Sequence, residues 1–275
     1  MFGDWVKLAR LPNAITAGLG VWLGHFCLPG ALDWKAAALG SSAMALLAAA
    51  GNMQNDLLDL NVDRINRPDR PLPSGRISPG SAKAGSVALY LFAVLLGFSL
   101  GKSEGSLTLT MASLLSLYNL KLKAMPLWGN LVVAVLCALA VYLPELGRVP
   151  DYTAFPVLFA FLTTVAREVA KDAEDVAGDT ANGYSTLPIR FGLGAAKGTV
   201  AAACIAVILL LPVPWLRLGY HAGYPIVAAL FALPLLATIL AALRVPGTDW
   251  GAVQRRLKWT MLAGIAAIFA GVYGF

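Results

Sequence analysis

Residues 35–63 read KAAALGSSAMALLAAAGNMQNDLLDLNVD, an apolar run that closes in a burst of acids and amides. No charge lies between Ala36 and Asn55. A membrane-spanning helix needs about 20 mostly apolar residues, and this run is long enough. At its end Asn55, Asp59 and Asp63 recur four residues apart, with Asp56 beside them. On a helix that spacing stacks the three on one face.

The rest of the chain is of the same kind. Of its 275 residues 58% are hydrophobic and 13% charged, with a mean hydropathy of +0.71. Soluble domains carry about 25% charged residues. A water-soluble fold of this length could not hide so much apolar surface. The net charge of +6 does not point to nucleic acid, because the basic residues sit between long apolar runs and not on one amphipathic face. Candidate spans at 13–29, 35–55, 83–101, 106–120, 127–144, 152–170, 197–216, 222–243 and 257–274 predict an all-α polytopic membrane protein. Its nine spans form a single transmembrane domain over 1–275. Pro144, Pro150, Pro212, Pro214 and Pro246 punctuate the ends of spans, where proline costs little helix. The N-terminus lacks a cleavable signal, so the first apolar run is expected to stay in the membrane. Cys27, Cys137 and Cys204 each lie in an apolar stretch and read as buried thiols.

Charge sets the orientation. All but four of the 21 Lys and Arg fall in the N-terminal segment or around the loops after spans 2, 4, 6 and 8; the four are Lys35, Lys102, Arg148 and Arg217. The positive-inside rule then places the N-terminus and those loops in the cytoplasm. Eleven of the 15 acids share that side. The motif loops, about 56–82 and 171–196, are both cytoplasmic on this reading, in a multi-pass protein of the cell membrane.

A second acidic cluster closes span 6. Residues 167–179 read REVAKDAEDVAGD; Asp175 and Asp179 repeat the four-residue step, and Glu168 and Asp172 form another such pair. Like charges at this spacing weaken a helix by a few tenths of a kcal/mol, and a carboxylate at bilayer depth costs several kcal/mol more. A compensating cation is therefore expected. Mg²⁺ fits best, being a hard ion that takes oxygen ligands and is shared between carboxylates and substrate phosphates. The two histidines, His25 and His221, both fall on the opposite side, which argues against zinc or iron. Two clusters four spans apart also suggest an internal repeat, with spans 1–4 and 5–8 as two four-helix units and span 9 added.

Residues 55–78, NDLLDLNVDRINRPDRPLPSGRIS, resemble the first signature of the UbiA-type intramembrane prenyltransferases, and 167–192, REVAKDAEDVAGDTANGYSTLPIRFG, resemble the second. The resemblance implies a helical bundle around a central cavity, with two Mg²⁺ ions bridging the motifs to a prenyl diphosphate. By motif match it implies metal ligation by Asn55, Asp59, Asp63, Asp175 and Asp179, with Asp56 at a neighbouring acidic position. Asp172 matches the neighbouring acidic position of the second motif, beside the diphosphate. Arg10, in the RLPN of residues 10–13, resembles the family's opening segment and is a candidate diphosphate contact, as are Asn55, Arg64 and Lys171. Tyr118 and Lys121, in YNLKLK at 118–123, resemble a tyrosine and lysine that approach the reacting end of the substrate.

The chemistry so implied is Mg²⁺-dependent prenyl transfer from a diphosphate, with geranylgeranyl diphosphate the expected donor. Asp59, Asp63, Asp175, Asp179, Tyr118 and Lys121 are the expected catalytic group. NRPDRPLPSGRIS with KDAEDVAGD and TLPI looks most like the branch that alkylates geranylgeranylglyceryl phosphate, a lipophilic acceptor, to make an ether lipid. An aromatic quinone precursor such as 4-hydroxybenzoate is the alternative acceptor. A membrane transporter is the rival of another class, but transport sites tend to lie near the midplane in broken helices. Here the acids gather at span ends beside arginine-rich loops.

Overall fold

Helices begin where the sequence supplies a cap. Asp33 accepts a hydrogen bond from the Ala36 amide (2.9 Å), Ser78 from that of Ser81 (3.1 Å) with Pro79 opening the helix, and Asp249 from that of Ala252 (2.8 Å). Each satisfies one amide that the first helical turn leaves unpaired. The computed structural model describes residues 2–28, 32–146 and 153–274, with the side chains of Val62 and Asn66 left out. The sequence readings of Arg148 and Pro150, and the outer ends of the first and sixth expected spans, lie outside the described residues.

Among the described residues the elements are helical. They run α1 (Phe2–Leu8), α2 (Leu11–Cys27), α3 (Trp34–Leu58), α4 (Leu60–Asn66), α5 (Pro79–Leu100), α6 (Lys102–Leu120) and α7 (Trp128–Tyr142). There follow α8 (Ala154–Glu174), α9 (Val176–Ala181), α10 (Leu187–Leu210), α11 (Val213–Arg217), α12 (Gly223–Val227), α13 (Leu233–Arg244) and α14 (Trp250–Tyr273). Every expected span falls on a helix. Five stretches are long and apolar enough to cross a membrane: α3, α5, Trp128–Glu145, Leu187–Arg217 and Gly223–Arg244. The chain is thus an all-α, multi-pass membrane protein.

Some boundaries differ from the sequence reading. The fourth span starts before 106, since α6 begins at Lys102. The seventh starts at Leu187 instead of 197, but Gly192 leaves the helical region at φ 84° and sets the first turn apart from the rest. Much of the second motif loop is therefore helical. Cys27 and Cys204 are buried as expected, whereas Cys137 is exposed on α7. Pro234 lacks an amide hydrogen, and a wide π turn at Ala228–Ala232 precedes it, one of the recognised accommodations of a broken helical ladder.

The chain divides into two units. The first holds α1 to α6, except the last turn of α2, with residues 142–146; the second holds the remainder. In the first, α3 presents Ala37, Gly40, Ala43, Ala50 and Gly51 as its buried face, and α5 buries Ala82, Ser86, Ala93 and Gly97. Small side chains let membrane helices approach closely, and the Ser86 hydroxyl donates to the Ala50 carbonyl at 2.9 Å. The opposite face of α5 carries Val87, Leu91, Phe92 and Leu95, all at least half exposed, as suits hydrocarbon. In the second unit α8 buries Phe155, Phe159, Val165 and Val169, and Tyr224 packs edge-on to Phe155 with centroids 5.9 Å apart.

Candidate active site

The first acidic cluster sits at a break. α3 stops at Leu58, Asp59 takes φ −90° and ψ 6°, and α4 follows. The four-residue step survives the break in the backbone: the Asp59 amide donates to Asn55 O (3.0 Å), Asp63 to Asp59 O (2.8 Å) and Arg67 to Asp63 O (2.8 Å). The Asn55 side-chain amide donates to Asp59 Oδ2 at 3.0 Å. The three residues thus keep one side of a bent path, not of a single straight helix.

Asp56 and Asp63 are buried, at 4% and 6% exposed. Buried carboxylates are costly unless paired, and both are. Arg10 reaches Asp56 at 2.5 Å, while one Arg70 nitrogen lies 2.6 Å from Asp63 and 3.4 Å from Asp56. Arg10 adopts φ 50°, a left-handed conformation that costs a non-glycine residue about 1–3 kcal/mol. It turns the chain from α1 into α2, and the Asn52 amide holds that turn through the Ala9 carbonyl at 3.0 Å. Arg70 belongs to a loop that three prolines keep out of the helix. Leu72 and Ile77 anchor that loop in a core with Leu8, Met53 and Ala82. Arg76 ties it further, to the Asp4 carboxylate (2.8 Å) and the Asp69 carbonyl (2.5 Å).

Tyr118 lies in the last turn of α6, half-buried, and Lys121 caps that helix with its side chain exposed. Between them Asn119 is buried and donates to Gly51 O (3.0 Å) and Gln54 Oε1 (3.1 Å). Gln54 also accepts from the Tyr90 hydroxyl (2.9 Å) and donates to Ser116 (2.7 Å). This polar hub joins α3, α5 and α6 next to Asn55. Arg64 is exposed and makes no ion pair among the described residues.

The second cluster, in the second unit, is also a break. α8 stops at Glu174, Asp175 takes φ −94° and ψ 10°, and α9 follows. The Asp175 amide donates to Lys171 O and the Asp179 amide to Asp175 O, both at 2.9 Å. Asn130 of α7 donates to Asp172 Oδ2 at 2.7 Å, and Arg167 pairs with its buried neighbour Glu168 at 2.9 Å. Lys171 and Asp175 are exposed, and Asp179 is half-buried. Burial, and then the charge of Asp175, push the Asp179 carboxyl above its ordinary range. Lys123 lies over the Tyr184 ring, 5.5 Å from its centroid.

The donor chemistry of both clusters, carboxylate and amide oxygens, suits Mg²⁺. Among the described residues no three acid, histidine or cysteine side chains are gathered closely enough to hold a metal alone. A Mg²⁺ bound here would complete its shell with water and phosphate, as that ion usually does.

Arg64 is the arginine that the sequence favours in this loop, yet it is Arg70 that meets the carboxylates, and Asn52, Gln54, Asn119 and Asn130 have no expected role. Arg70 carried a signal in its spacing, seven residues after Asp63, across a proline turn that returns it to the carboxylates. In the first unit Lys7, Arg10, Asp56, Arg67, Asp69 and Arg70 line an open cavity of ≈ 530 Å³, with Pro68 and Pro71.

Residues 14–272 match the model of the UbiA prenyltransferase family. The chain is 39% identical over 274 residues to the digeranylgeranylglyceryl phosphate synthase of Methanopyrus kandleri, covering 98% of each chain. A solved structure described as digeranylgeranylglyceryl phosphate synthase in membranes superposes with a TM-score of 0.84 at 26% identity, over 98% of both chains. A UbiA homolog from Archaeoglobus fulgidus bound to DMAPP and Mg²⁺ shares the fold, with a TM-score of 0.71 at 20% identity, over 96% of this chain and 99% of that one.

Proposed function

We propose, from the premise that this chain belongs to the UbiA prenyltransferase family, that it transfers a geranylgeranyl group from its diphosphate to geranylgeranylglyceryl phosphate. The product is a diether lipid, and diphosphate is released. What carries the choice of acceptor is full-length similarity, at 39% identity, to a relative named for that product. The transfer breaks an allylic C–O bond, whose electron pair leaves with the diphosphate. The acceptor hydroxyl oxygen then bonds to the allylic carbon, and its proton passes to a base.

Each motif supplies oxygen ligands for Mg²⁺: Asn55, Asp56, Asp59 and Asp63 in the first, Asp175 and Asp179 in the second. Bound there, Mg²⁺ offsets the charge that develops on the leaving diphosphate. Lys171, Arg64 and Lys121 lie at helix ends with exposed side chains, and their ammonium and guanidinium groups suit the same diphosphate. Asp172, held by Asn130, sits beside the second motif, and Arg10 fixes Asp56 in the first. Tyr118 places an aromatic face at the end of α6, and a π face stabilises a cation by about 0.5–2 kcal/mol. An apolar surround of Leu, Val, Ala and Phe excludes the water that would otherwise quench the cation. A motif carboxylate takes the acceptor's proton. On the charge distribution of the sequence, both motifs and the N-terminus face the cytoplasm.

The test uses purified protein in detergent with Mg²⁺ and radiolabelled geranylgeranyl diphosphate. Separate tubes receive geranylgeranylglyceryl phosphate or 4-hydroxybenzoate. A diether product in the first tube alone is the expected result. Product with the aromatic acid alone would overturn the acceptor.

A further inference from the structure

The cavity beside the first motif contains more positive charge than that motif uses. Its lining has four cations, Lys7, Arg10, Arg67 and Arg70, against the carboxylates of Asp56 and Asp69. Arg10 and Arg70 are engaged with Asp56 and Asp63. Lys7 and Arg67 make no ion pair among the described residues, and both are exposed and line the cavity. Lys7 lies in the last turn of α1, and its carbonyl accepts from the Arg10 amide at 3.1 Å. Arg67 caps α4 with its amide on Asp63 O. At ≈ 530 Å³ the cavity falls within the roughly 300–1,000 Å³ usual for ligand sites.

Resting on the proposed reaction, we infer that this cavity seats the phosphate monoester of the acceptor, with Lys7 and Arg67 as its direct cationic contacts. Such a phosphate carries about −1.5 to −2 charges at pH 7, which two unpaired cations match. The donor's diphosphate can share Mg²⁺ with the motif carboxylates, but the acceptor's phosphate has no such partner in this reading and needs basic side chains. Arg10 and Arg70 line the same cavity but are already drawn to the aspartates, which leaves Lys7 and Arg67 for the phosphate. An aromatic acid has a single carboxylate charge and no need of both cations, so the cavity favours the glyceryl phosphate.

The experiment measures acceptor and donor KM for the full chain and for Lys7→Ala, Arg67→Ala, the double variant and Arg67→Lys. Geranylgeranyl diphosphate, Mg²⁺ and geranylgeranylglyceryl phosphate are the reagents, in neutral detergent with and without phosphatidylglycerol. Each single alanine is expected to raise acceptor KM about 5- to 10-fold and the double about 50-fold, with donor KM moving less than about 2-fold and Arg67→Lys recovering part of the loss. A rise in donor KM equal to that of the acceptor would assign the cavity to the diphosphate and overturn the inference. So would an unchanged acceptor KM accompanied by lost phosphatidylglycerol binding, which would assign it to bilayer lipid. If the wild-type chain makes no diether at all, the proposed acceptor fails first, which separates the two failures.

Discussion

At Leu58–Asp59 a 25-residue helix stops, one residue turns with φ −90°, and a helix of 7 residues follows; at Glu174–Asp175 a 21-residue helix stops, φ is −94°, and 6 residues follow. In both, the turning aspartate is the cap, and another aspartate lies four residues on. The surroundings differ. At the first break two arginines hold Asp56 and Asp63. At the corresponding place in the second, Asp172 takes a neutral amide from Asn130, and Asp175 and Asp179 have no ion pair among the described residues. One backbone device is thus neutralised in two ways. Guanidinium groups fix the first motif and leave it near electrical balance. The second has no guanidinium on its aspartates, burial raises the Asp179 carboxyl instead, and an incoming cation has the more to gain there.

The largest effects should be common to both breaks. Asp59→Ala and Asp175→Ala remove the turning carboxylate in each, and product formation is expected to fall about 100- to 1,000-fold in both. Near-normal turnover in either variant would end the role proposed for that motif. A large loss in one alone would show that the matching backbones do not do matching work.

Stability should separate them. Arg70→Ala leaves Asp63 buried without the partner that neutralises it. Breaking a fully buried pair costs about 3–5 kcal/mol, and because Arg70 is 24% exposed we expect less, about 2–3 kcal/mol, read as a lower melting temperature in detergent. Asn130→Ala removes one donor from Asp172, and about 1–2 kcal/mol is expected. Equal losses would erase the distinction between arginine and amide neutralisation. Arg70→Lys should restore much of the loss, since a single Arg70 nitrogen meets both Asp63 and Asp56 and an ammonium can take its place.

The sequence carried the acidic halves of both breaks openly, because a four-residue step of carboxylates at the end of an apolar run has little other reason to exist. It carried the helices too, since hydrophobic runs of spanning length leave few alternatives. It did not carry the breaks themselves. Asp59 and Asp175 lie inside patterns that read as continuous helix, with neither proline nor glycine to mark the turn. Nor did it single out Arg70, because Arg64, directly after Asp63, is the arginine that its order favours. That choice depends on how the Pro68–Pro73 loop folds back onto Leu8 and Met53, a contact distant in sequence. Asn130 and Asn119 were hidden for a similar reason, as amides whose partners sit on other helices.

The smallest effect concerns Asp179 and has the opposite sign. Burial and the nearby Asp175 raise its carboxyl above the ordinary value of 3.8, so the fold disfavours its charged form. A raised folded pKa gives stability that is present below the unfolded value and lost as pH rises through the folded one. With Mg²⁺ removed by EDTA, the wild-type melting temperature should therefore fall as pH climbs through that window. Asp179→Asn keeps the shape without the charge, and at neutral pH it should melt slightly above wild type while product formation collapses. Added Mg²⁺ should then stabilise wild type more than the variant, because a ligand raises stability only where it binds the folded state. A variant that melts below wild type in EDTA would mean that Asp179 is held by contacts of its own, as Asp63 is, and the contrast between the two motifs would narrow to Asp56 against Asp172.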